Sequence, residues 1–110
     1  IDGSWVRDYI DVVDLIEWHI KAYELLENLD FSGFIDNFNL WTGRWISVFE
    51  MIESSKKATW KDIHFKIAPR RNWDLASVYC NPNKAKNILG WTAKTSLQDS
   101  LKNAWKFYKK

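Results

Sequence analysis

The stretch WVRDYIDVVDLIEWHIKAYELLEN, residues 5–28, sets the fold class. Val6, Tyr9 and Ile10 favour an extended approach, and the Asp11 carboxylate then offers a cap for a helix. From Val12 to Asn28 the residues Val12, Ile16, Ile20, Tyr23 and Leu26 recur at spacings of three and four. Val13, Leu15, Ala22 and Leu25 widen that stripe, while Glu17, Lys21, Glu24 and Glu27 stay polar, so the period is helical. A short extended segment feeding an amphipathic helix points to a chain that mixes helices with strands.

Further along, Ser32-Gly33 predicts a turn and residues 34–40 a short strand. Ser47 followed by Glu50 is a capping box that opens a helix running to about Lys57. Ile63, Phe65 and Ile67 alternate with His64 and Lys66, the pattern of a half-buried strand ended by Pro69. Residues 77–80 form another short extended piece. Asn81-Pro82 predicts a cap with proline at the first helical position, and Gly90 a C-terminal stop. Ser96 with Asp99 opens a last helix, with Leu97, Leu101, Ala104, Trp105 and Tyr108 as its buried face. The expected architecture is mixed α+β, with about four helices and two or three short strands. The first helix and the strand after it would form an edge unit of a larger sheet, leaving apolar surface in need of a partner.

Composition narrows the function classes. The 110 residues carry 16 basic and 14 acidic side chains, a net charge of +2. No basic run points to nucleic acid or an anionic membrane surface. The single cysteine, Cys80, excludes an internal disulfide, and Cys80, His19 and His64 are too few for a closed zinc site. No apolar run nears the roughly 20 residues that span a bilayer, and Ile1 opens no signal peptide, so a cytoplasmic protein is expected. His19 reads as a packing or surface residue, His64 as solvent-facing and Cys80 as a small hydrophobe. There is no glycine-rich dinucleotide loop, phosphate-binding lysine loop or serine elbow, so no catalytic or metal-ligating residue is assigned. Arg7, Arg70 and Arg71 remain. A planar guanidinium fork suits phosphate oxygens, but pairing with Asp8 and Asp74 accounts for the same spacing.

Four segments, in order, carry a resemblance. DGSWVRDYI (2–10) with VVDL (12–15), NLWTGRWISV (39–48), APRRNWDLA (68–76), and NPNKA (81–85) with LGW (89–91) resemble the UDP-glucose 4-epimerases, extended short-chain dehydrogenase/reductases. The resemblance covers essentially the whole chain and implies the C-terminal third of such a Rossmann-type enzyme, a substrate-binding region in which residues 12–40 pack on an NAD-binding domain. It implies interconversion of UDP-glucose and UDP-galactose through a 4-keto intermediate. NAD and the catalytic tyrosine and lysine would sit upstream, which leaves this segment inactive alone. It further implies a UDP-sugar partner and a homodimeric parent. Arg7 would grip the diphosphate and Arg71 would be its second arginine. Asp74 would hold the uridine ribose, and Val78 would stand at the position whose size gates N-acetylated sugars. Asp11 stands where many relatives have histidine, a tolerable change at a helix cap.

The chain departs from the family at tryptophan. It has 8 Trp and only 4 Gly. Trp5, Trp41, Trp45, Trp60 and Trp73 stand where the family has glycine, and Trp18 where small residues occur. Glycine at all six would raise its count from 4 to 10, about 9% against a usual level of about 7%. The expectation is a gene that uses UGA for glycine, written out as though UGA meant tryptophan. The competing expectation is a non-catalytic, tryptophan-rich carbohydrate-binding or interaction module.

Overall fold

The computed structural model describes residues 5–29, 35–69, 72–73, 75, 77–78 and 80–110. In chain order it has β1 (Val6–Arg7), α1 (Val12–Glu27), β2 (Ile46–Ser47), α2 (Val48–Thr59), α3 (Asn83–Leu89) and α4 (Leu97–Tyr108). The strands β1 and β2 pair antiparallel, Val6 opposite Ser47 and Arg7 opposite Ile46. Four helices with little sheet agree with the mixed class expected from sequence.

The helix starts follow the predicted chemistry. Asp11 accepts the Val13 N–H at 2.8 Å and caps α1. Ser47 and Glu50 form the capping box of α2: the Glu50 N–H donates to Ser47 Oγ at 3.1 Å, and the Glu50 carboxylate accepts from Ser47 N at 2.7 Å. These donors, the Ser47 N–H foremost and then its hydroxyl, hold the Glu50 pKa below its ordinary 4.5. Because the folded value is depressed, this stabilisation is complete above pH 4.5 and is lost as pH falls through the folded value. Glu50→Gln keeps the box geometry without the titration, so acid denaturation curves of the variant should show a shallower fall in that window; an unchanged slope would count against the assignment. Ser96 caps α4 through the Asp99 N–H. At α3 the boundary moves by one: Pro82 is the N-cap, and the Asn81 side chain accepts the Asn83 N–H at 2.9 Å.

Two predicted strands are corrected. Residues 35–40 and 63–67 make no ladder among the described residues. An alternating pattern becomes a strand only beside another backbone. Residues 36–38 are held by the Lys84 ammonium instead, which pairs with Asp36, donates to the Asn37 carbonyl and lies over the Phe38 ring. Phe65 packs edge-on against Phe49 with 5.8 Å between centroids. Ser77 forms an isolated parallel bridge to Val6, a fragment of the extended piece expected at 77–80. The turn at Ser32-Gly33 lies outside the described residues.

The core is small. Ala85, Leu89 and Trp91 form its centre, with Ile10, Trp18, Ala22, Leu25, Phe38, Leu40 and Ala93 packed around them. The α1 face turned inward is therefore the 14–18–22–25 stripe, while Val12, Ile16, Ile20 and Tyr23 remain more than half exposed. Asp14, only 3% exposed, is the pin of this arrangement. Its carboxylate accepts Lys94 N at 3.1 Å, Thr95 N at 2.9 Å and the Thr95 hydroxyl, and its carbonyl accepts the Trp91 indole N–H at 2.9 Å. α4 packs on α2. Leu97, Leu101 and Trp105 are half-buried there, whereas Ala104 and Tyr108, expected to be buried, face solvent. The radius of gyration is 17.2 Å, against about 13 Å for a compact domain of this length. The chain is thus spread out, with an apolar helix face left uncovered.

Candidate functional site

Arg7 sits at the end of β1, where pairing with β2 fixes the backbone. Its guanidinium donates to the carbonyls of Val6 and Leu75, each at 2.8 Å. It also lies 5.4 Å from the Trp5 ring centre, within cation–π range. The Arg7–Leu75 bond and the Val6–Ser77 bridge together bring Leu75 and Ser77 alongside β1. A cleft of about 300 Å³ results, lined by Arg7, Asp8, Ile10, Leu40, Trp41, Val78 and Cys80. A second cleft of about 430 Å³ has Arg7 and Trp5 on one side and Phe49, Ile52 and Phe65 on another. Arg7 thus borders both, a cation between two largely apolar hollows.

The loop after Leu40 is fixed by Asp8, which the sequence reading had treated only as a candidate ion-pair partner. Its carboxylate accepts Thr42 N at 2.6 Å, Gly43 N at 3.1 Å and the Thr42 hydroxyl. Such a cluster of donors is what a carboxylate needs when it holds a turn. Asp14 was likewise missed as a structural hub. An acidic residue among apolar ones at helical spacing was the available signal, but its partners lie some 80 positions away.

Of the four residues assigned to substrate, Arg7 and Val78 come together at one cleft. Arg71 and Asp74 lie outside the described residues. Burial, with the nearby Asp8 charge, pushes the Cys80 thiol up from its ordinary pKa. A thiol kept protonated is a poor nucleophile, in keeping with its reading as a small hydrophobe. His19 is exposed, with Nδ1 2.7 Å from the Leu15 carbonyl, and the His64 side chain is 94% exposed. Among the described residues no three His, Cys, Asp or Glu side chains group to hold a metal. No helix there is long and apolar enough to cross a membrane.

No family model matches the chain. Individual proteins do. A UDP-arabinose 4-epimerase of Arabidopsis thaliana is 43% identical over 109 residues, 98% of this chain and 25% of that protein. The UDP-glucose 4-epimerase of Bacillus subtilis is 42% identical over 106 residues, 96% of this chain and 30% of that protein. The crystal structure of UDP-glucose 4-epimerase from Bifidobacterium longum, in complex with NAD+ and UDP, superposes with a TM-score of 0.84 at 36% identity, over 98% of this chain and 31% of that one. Over nearly its whole length the chain is similar to UDP-glucose and UDP-arabinose 4-epimerases.

The chain spans about a quarter to a third of the length of the relatives it matches. The family match also disfavours the carbohydrate-module alternative.

Proposed function

We propose that this chain is the substrate-gripping part of an NAD-dependent UDP-hexose 4-epimerase that interconverts UDP-glucose and UDP-galactose. The convergence of Arg7 and Val78 on one cleft is the observation that supports it. Arg7 binds the diphosphate, because a guanidinium fork matches two phosphate oxygens. Arg71 is the second phosphate-binding arginine, and Asp74 accepts hydrogen bonds from the uridine ribose. Val78 lines the space for the sugar. NAD, when bound, takes and returns the hydride at C4 of the hexose. This chain has no glycine-rich loop to hold it, so the dinucleotide belongs to the remaining two-thirds of the enzyme.

Residues 12–40 pack against that NAD-binding portion. The exposed Val12, Ile16, Ile20 and Tyr23 supply the apolar face, and covering each would add about 1 kcal/mol. The enzyme works in the cytoplasm, and the parent is a homodimer. The direct test is the intact enzyme assayed with UDP-galactose. Turnover to UDP-glucose with bound NAD is expected, and an NAD-loaded enzyme that leaves the hexose untouched while epimerising UDP-arabinose would move the substrate to the pentose.

Valine is smaller than tyrosine, so the sugar space admits an N-acetyl group. The intact enzyme is expected to turn over UDP-N-acetylglucosamine as well as UDP-glucose. Val78→Tyr should abolish the first activity and spare the second. Absence of UDP-N-acetylglucosamine turnover in the unaltered enzyme would refute the assignment of Val78.

A further inference from the structure

Two tryptophans hold backbone conformations that the chain's own glycines hold. Trp60 closes α2 at φ 56°, ψ 28°, as Gly90 closes α3 at φ 61°, ψ 19°. Trp73 has φ 67° and Gly43 φ 76°. Among the described residues, these two tryptophans are the non-glycine residues with positive φ. A Cβ in the left-handed region crowds the adjacent carbonyl, which is why glycine takes such positions and a bulky side chain there is an outlier. Neither indole offsets that strain by packing, since Trp60 is 91% and Trp73 97% exposed.

Other tryptophans are used by the fold. Trp91 is buried and donates its indole N–H to the Asp14 carbonyl. Trp105 stacks on Tyr108 at 5.6 Å and carries the Lys109 ammonium over its face. Trp18 is divided: its ring meets Phe38 edge-on, yet its indole nitrogen is buried without an acceptor, which a native core avoids. The same letter thus stands for residues the structure needs and for residues that behave as glycine. A single codon reassignment produces that split, because it acts on one tryptophan-like codon and leaves the other alone.

We infer that Trp60 and Trp73 are glycine in the protein as its organism makes it, encoded by UGA, while Trp91 and Trp105 are tryptophan encoded by UGG.

The test is peptide mass spectrometry of the enzyme isolated from its organism, read beside the gene. Glycine masses at 60 and 73 with UGA codons are expected, and tryptophan masses at both, or UGG codons, overturn the inference. A second measurement stands apart from the codons. In the intact recombinant enzyme, Trp60→Gly with Trp73→Gly should raise the melting midpoint by about 4 °C or more. A midpoint unchanged or lowered by the pair overturns the structural premise.

Discussion

Asp14→Ala in the intact enzyme should destabilise this segment by about 3–5 kcal/mol, a large part of the roughly 5–15 kcal/mol that holds a domain folded. The carboxylate is 3% exposed and satisfies the Lys94 and Thr95 backbone donors and the Thr95 hydroxyl. Alanine leaves these part-buried donors without their shared acceptor, and a donor left unsatisfied on burial costs about 1–3 kcal/mol. The same residue joins α1 to the loop that starts α4, so both helices loosen together. Asp14→Asn keeps one acceptor oxygen and should recover part of the loss. Trp91→Phe removes the donor to the Asp14 carbonyl, about 1 kcal/mol in hydrogen bonding, and adds the cost of the cavity left by the smaller ring in the core. Denaturant midpoints of the three variants give the ranking. An alanine variant within about 0.5 kcal/mol of the unaltered enzyme, the range of ordinary surface changes, would remove Asp14 from this role.

Arg7→Ala is expected to raise KM for the UDP-sugar by about 10- to 100-fold, the equivalent of one hydrogen-bonded charge at about 1.5–3 kcal/mol. Arg7→Lys should not restore it, because an ammonium supplies the charge without the planar fork. Arg7 also ties β1 to the 72–78 segment through the Leu75 carbonyl, so a purely structural role has to be separated from the grip on phosphate. Two inhibitors make the separation. Loss of phosphate contacts weakens UDP and spares uridine, whereas a loosened segment weakens both. Equal loss for the two would assign Arg7 to structure alone.

Some of this molecule was legible because its signals are local. The Asp11 cap, the Ser47/Glu50 box, the Ser96 cap and the Gly90 stop each depend on residues two to five apart, and each appears as expected. Strands were harder. The alternation of Ile63, Phe65 and Ile67 is a real pattern, but a strand is completed by a neighbouring backbone that sequence cannot supply. The α1 stripe misled for a related reason. Its residues are apolar at helical spacing, yet the inward face here is the one carrying Asp14, Trp18 and Ala22, and the more obvious face stays exposed.

The sequence by itself determined the helices to within one or two residues, the mixed class, the epimerase resemblance and the tryptophans standing where glycine is expected, since all of these follow from short-range chemistry or residue order. The tertiary structure decided the rest. It brought Arg7 and Val78, seventy-one positions apart, to one cleft; it made Asp8 and Asp14 the fastenings of distant loops; and it showed Trp60 and Trp73 in left-handed backbone. These depend on which remote backbone donors meet a carboxylate and on which dihedral angles the packed chain imposes, and neither quantity is written in the spacing of residues along the chain.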